Sequence, residues 1–115
     1  MGKPQSRTEV ANRCLEVFDT DFFRALCEPV RVEMFRQLIL KGRCDVSTIA
    51  ESMPQDRSVI ARHLQLMERA GLLHAQTEGR HTFYEIDGPA IVSRVEQMAG
   101  LLRTLVPLCC PSPKR

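Results

Sequence analysis

The sequence predicts a mainly α-helical fold with a small β-hairpin, on three observations. Asp45–Ala70 reads as two short helices joined by a tight turn. Leu72–Ile86 reads as two strands around a glycine-containing turn. Pro89–Val106 repeats apolar residues by fours and threes, as a long helix with a packing seam does. Two short helices across a turn make a helix-turn-helix, and a hairpin directly behind them makes it a winged helix-turn-helix. The seam predicts a homodimer, built through the N- and C-terminal helices.

The 115 residues fit one domain, and 43% are hydrophobic, enough for a core. The net charge is only +2, and within Gln55–Glu85 the arginines at 57, 62, 69 and 80 are balanced by the acids at 56, 68, 78 and 85. A basic footprint must therefore come from placement and not from total charge. No stretch approaches the roughly 20 apolar residues of a membrane span, and no N-terminal apolar run resembles a signal peptide. The expectation is a cytoplasmic protein with no membrane partner.

In chain order, residues 1–6 are polar and expected to be disordered. Residues 7–106 form the expected winged-helix domain with a dimerisation helix at each end, and 107–115 a Pro/Cys tail. Over Arg7–Cys27, Val10, Ala11, Cys14, Leu15, Phe18, Phe22 and Leu26 keep helical spacing. This is one helix or two, with a bend expected at Asp19-Thr20-Asp21, where Asp and Thr favour caps over interiors. Glu28-Pro29 marks a boundary. Val30–Lys41 is the next helix, turning inward Val30, Met34, Leu38 and either Phe35 or Ile39, and Gly42 closes it. Asp45 caps the first helix of the helix-turn-helix, with Val46, Ile49, Ala50 and Met53 inward. Asp56 is placed to cap the second through its carboxylate. Ile60, Leu64, Met67 and Gly71 form that helix's inner stripe, and Gly71 ends it. The strands are Leu72–Thr77 and His81–Ile86, around Glu78-Gly79-Arg80. Asp87-Gly88-Pro89 starts the last helix. Its seam is Ile91, Val95, Met98, Leu102 and Leu105, with Val92, Ala99 and Val106 as a second row. Pro107 is expected to end it, because proline disfavours helix at the residue before it, and the tail should be extended.

On the second helix of the pair, Ser58, Ala61, Arg62, Gln65 and Arg69 fall opposite the inner stripe. Small residues let a helix approach base edges, and arginine suits guanine or phosphate. A solvated surface helix is the plain alternative; the helix-turn-helix context favours double-stranded DNA as partner. The expected contacts are Ser58, Ala61, Arg62 and Gln65 on base edges, Arg57 and Arg69 on groove walls or phosphates, and Arg80 at the wing tip.

Three segments resemble the arsenic-repressor (ArsR/SmtB) family of bacterial winged-helix repressors. RALCEPVRVEMFRQL is similar to that family's opening helices, DRSVIARHLQLMERAGLL to its recognition helix, and TEGRHTFYEI to its wing. The resemblance, over Phe22–Ile86, implies a homodimeric repressor on an inverted-repeat operator, released by a metal, metalloid or redox signal, and not an enzyme. One departure matters. Many metal sensors of the family carry Cys-x-Cys at the start of the first helix of the pair, where this chain has Asp45 and Ser47. The terminal helix has no histidine, so zinc sensing of the family's type is not expected.

Five cysteines form no obvious disulfide framework. Adjacent Cys109 and Cys110 are the chemical oddity. Soft thiolates suit thiophilic centres such as As(III) or Sb(III). A third sulfur is expected from Cys14 or, alternatively, Cys27. No permanent cofactor is expected. Thiol oxidation or persulfidation at the pair is the rival reading, and the bland one makes Cys14, Cys27 and Cys44 small buried hydrophobes. A winged helix that binds protein instead of DNA remains open, as does, more remotely, a thiol-redox enzyme using the pair. His63 is expected to be packed and hydrogen-bonded. His74 and His81 are expected on facing strands, where they could meet but would make a poor metal site alone.

Overall fold

The computed structural model describes residues 6–18 and 20–109, and of Cys109 only the backbone. Its elements are α1 (Arg7–Phe18), α2 (Asp21–Ala25), α3 (Pro29–Lys41), β1 (Cys44–Asp45), α4 (Val46–Ala50), α5 (Arg57–Arg69), β2 (Leu73–Glu78), β3 (His81–Ile86) and α6 (Gly88–Cys109). The expected fold class is present: a mostly helical chain with one small antiparallel sheet. Two compact units emerge, one spanning Asp21–Ile91 and the other made of the chain before residue 21 and after Ile91.

The larger unit is built around a dry cluster in which Phe22, Met34, Ile49, Ile60, Leu64, Met67 and Leu72 are fully buried. Apart from Leu72, which follows α5, these are the helical-spacing residues of α2 to α5, so periodicity in the chain becomes one shared core. Ile60, Leu64 and Met67 bury the inner face of α5 as expected. Gly71 does not belong to that stripe: it lies beyond the helix end at φ +90°, where its use is conformational. α3 buries Met34 and Leu38 as expected, and of the two alternatives it turns Phe35 inward, half-buried against the core, while Ile39 is exposed. Gln37 is also buried there, and its amide donates to Glu33 at 2.7 Å.

Helix boundaries follow their caps unevenly. Asp45 accepts from the Thr48 backbone N–H at 3.0 Å and from the Thr48 hydroxyl at 2.8 Å, so α4 begins where expected. Asp56 occupies the N-cap of α5 but its carboxylate makes no capping bond. The helix start is held instead by its backbone carbonyl, which accepts from Val59 and Ile60 at 2.9 and 3.0 Å. The expected break between α1 and α2 is present, with Asp19 outside the described residues.

The sheet has three strands where the sequence predicts two. β1 pairs with β3, which pairs with β2, all antiparallel. Two residues carry no periodic signal, which is why β1 escapes a sequence reading. The hairpin turn is shorter than expected, with Glu78 paired to His81 and only Gly79-Arg80 between them. Gly79 takes φ +64° and Arg80 keeps a negative φ, the requirement of a II′ turn, whose twist suits a hairpin.

In the smaller unit Val10 of α1 and Leu101 of α6 are buried. The Arg7 guanidinium donates to the Leu108 carbonyl. α6 passes through Pro107 and ends at Cys109, a correction to the expected stop. A proline in the last turn removes only one backbone bond, and the bias at the preceding residue is a preference that the turn overrides. Residues 1–5 and 110–115, with the tail's expected form, lie outside the described residues. No described helix is long and apolar enough to cross a membrane.

Candidate nucleic-acid interface

α5 presents Ser58, Arg62, Gln65 and Arg69 to solvent, opposite its buried stripe. Ala61 is half-buried because it sits on the flank facing the wing. On that flank a cleft of about 150 Å³ is lined by Asp45, Val46, Arg57, Ala61, Gln65, Arg80, His81, Thr82 and Tyr84. Arg57, Ala61 and Gln65, one turn apart along α5, thus share one concavity with Arg80 of the hairpin. Two elements bring them there. The capped turn into α4 sets the entry to the helix-turn-helix, and the II′ turn carries Arg80 at the tip of the hairpin.

The wing is tied down by a residue that sequence reasoning missed. Arg43 donates to Glu78 at 2.7 Å, lies 4.0 Å from Glu85 and stacks over the Phe83 ring at 4.3 Å. It thus clamps both strands from the residue before β1. The only signal for this was a lone arginine beside a cysteine, which nothing in the sequence distinguishes.

His81 is the second tie. Its Nδ1 lies 3.4 Å from Asp45 Oδ2, so the wing also reaches the cap of α4. The Asp45 carboxyl is held below the usual carboxylate range, first by the Thr48 backbone N–H, then by the Thr48 hydroxyl, with a further contribution from His81. His74 and His81 do not meet. The register sets His74 opposite Glu85 and His81 opposite Glu78, because the two-residue turn fixes which residues face. Tyr84 is buried, and burial pushes its hydroxyl pKa up.

The other flank of α5 is also concave. Arg31, Val59, Arg62, His63 and Leu66 line one hollow there. Asp21, Arg24, Ala25, Arg31, Leu66 and Arg69 line a neighbouring one of about 320 Å³. His63 is half-buried and hydrogen-bonded, as expected: its Nδ1 accepts from Arg31 Nε at 3.3 Å. Burial lowers its pKa, and the Arg31 and Arg62 charges lower it further against the opposing pull of Glu28.

Cys44 is buried, and burial pushes its thiol pKa up. Cys27 is exposed and its thiol donates to the Phe23 carbonyl at 3.3 Å, while Cys14 is half-buried in α1. Among the described residues no group of three His, Cys, Asp or Glu could hold a metal ion. Cys110 and the Cys109 side chain lie outside the described residues.

No protein-family model matches the chain. Individual proteins do. The arsenical resistance operon repressor of Bacillus subtilis is 27% identical over 88 residues, covering 76% of this chain and 75% of that protein. The crystal structure of a possible transcriptional regulator for arsenical resistance superposes with a TM-score of 0.60 at 28% identity, over 70% of this chain and 82% of the other. The chain is thus similar in sequence and in fold to regulators of the arsenic-repressor (ArsR) family. Another ArsR-like fold is a homodimeric winged helix-turn-helix DNA-binding domain of Mycobacterium bovis, with a TM-score of 0.59 at 24% identity, over 90% of each chain. In this winged helix-turn-helix fold α4 and α5 are the helix-turn-helix and β2–β3 the wing.

Proposed function

We propose that this ArsR-family chain is a repressor that binds an inverted-repeat operator as a homodimer and lets go when a thiophilic inducer meets its cysteines. The observation that carries the DNA reading is the meeting of Arg57, Ala61, Gln65 and Arg80 in one cleft beside the exposed face of α5. A helix with small and forked polar side chains on its outer face suits base edges. A hairpin with an arginine at its tip suits the neighbouring phosphate or minor groove. Ser58 and Arg62 are assigned to bases, and Arg57 and Arg69 to the groove walls. Replacing Arg62 by Ala should cost about 1–3 kcal/mol of operator binding and relax specificity at one base position. A gel shift that this change leaves intact would contradict the assignment.

Dimerisation is supported by the apolar residues α6 leaves exposed: Val92, Val95, Leu102 and Val106. They belong to the seam and second row, and a lone chain has no evident use for so much exposed apolar surface. Two recognition helices in a two-fold dimer would read half-sites about one DNA turn apart.

The inducer we favour is As(III) or Sb(III), held by Cys109 and Cys110 with Cys14, or Cys27, as third sulfur. Support comes from the soft chemistry of adjacent thiolates and from the arsenical context of the relatives. Titrating the protein–operator complex with arsenite should release DNA, and Cys109→Ser with Cys110→Ser should abolish the release. Release by peroxide or persulfide, with arsenite inert, would give the inducer role to thiol oxidation instead.

A further inference from the structure

A helix in the major groove has a sugar–phosphate strand on each side, across a groove about 12 Å wide. On the wing side of α5, Arg57 and Arg80 are in place to meet one strand. The opposite side is lined by Arg24, Arg31, Arg62 and Arg69, drawn from α2, α3 and α5. Among the described lining residues the acid is Asp21, 3.9 Å from Arg24, which makes further contacts as well, while Glu28 stands close enough to act on His63. Placement, and not the near-neutral total, thus concentrates positive charge here.

We propose that this second cleft, centred on Arg31 and Arg24, holds a backbone phosphate of duplex DNA on the side of α5 away from the wing, with His63 positioning Arg31. The inference rests on α5 occupying the major groove. Arg31 is prepared for the task. Its Nε donates to His63 Nδ1 at 3.3 Å and its Nη1 donates to the Arg24 carbonyl at 3.4 Å. These bonds use two of the five donors of a guanidinium and fix its plane before DNA arrives. Because His63 Nδ1 accepts, the ring is neutral in this arrangement and carries its proton on Nε2. Arg31 thereby keeps its charge for the phosphate instead of spending it on an acid.

The test uses the full chain and a mixed-sequence duplex of about 30 base pairs, titrated across monovalent salt. Phosphate contacts release counterions, so log K falls linearly with log salt. Arg31→Gln and Arg24→Gln should each weaken binding to any sequence and lower the slope by about one. Arg31→Lys, which keeps the charge but not the fork, should weaken binding while holding the slope. His63→Leu should reduce the slope, and His63→Asn, whose amide oxygen can accept in place of Nδ1, should restore it. A wild-type slope in folded Arg31→Gln and Arg24→Gln overturns the inference. Should Arg31→Gln fail to fold, Arg24→Gln decides it alone. A flat salt dependence in the wild type would sink the DNA reading itself, a different outcome from a slope that Arg31 does not govern.

Discussion

Asp45 does three things with one carboxylate. It accepts the Thr48 N–H, accepts the Thr48 hydroxyl and faces His81 across the wing. Asp45→Ala should cost about 1 kcal/mol as a lost cap, read as a lowered unfolding midpoint. The sign of the pH effect follows from its depressed pKa. Unfolded, the group takes up a proton at a higher pH than when folded. Its stabilisation is therefore complete above the unfolded value and is lost as pH falls through the folded one. In Asp45→Ala that part of the acid dependence should disappear; a melting profile against pH parallel to wild type would refute it. Residue chemistry was only partly legible in advance. Asp45 and Asp56 look alike as cap residues in the sequence, yet only Asp45 bonds through its side chain, because capping also needs the right local rotamer and backbone. Arg24 and Arg31 were missed as interface residues because they enter the cleft from other helices, a relation no local pattern encodes.

Among elements, the wing is the one most dependent on a single side chain. Arg43 spans both strands, with one short ion pair and a cation–π contact. Each is worth about 1 kcal/mol or less at an exposed site. Arg43→Ala should therefore barely move global stability, but should raise amide exchange in β2 and β3 while α5 stays protected. Equal exchange in both proteins would remove the clamp. The helices were the legible elements, since Ile60, Leu64 and Met67 announce a buried face at a 3.6-residue period. Two-residue β1 and the helical passage through Pro107 were not, because short pairings and last-turn prolines obey neighbours more than local preference.

At the scale of the whole molecule, the exposed row on α6 is the main unmet demand. Val95 is 46% exposed and Leu102 40%. Leu102→Glu would place a charge in the proposed two-fold seam and should convert dimer to monomer in sedimentation, lowering DNA affinity with it. A variant that sediments as wild type would move the dimer interface elsewhere. The seam's spacing was visible in the sequence, while its inward exception was not: among the described side chains of α6, Leu101, outside the seam, is the buried one.

β1 carries one more implication. Its two residues pair in register with Tyr84 and Phe83 of the hairpin, and the second of them is the cap from which α4 springs. Hairpin and helix-turn-helix are thus geared together through a single dipeptide. In the proposed complex, a duplex that bends and pushes on the hairpin would also torque the root of α4, so local stiffness of the DNA would become something this protein can feel without touching a base.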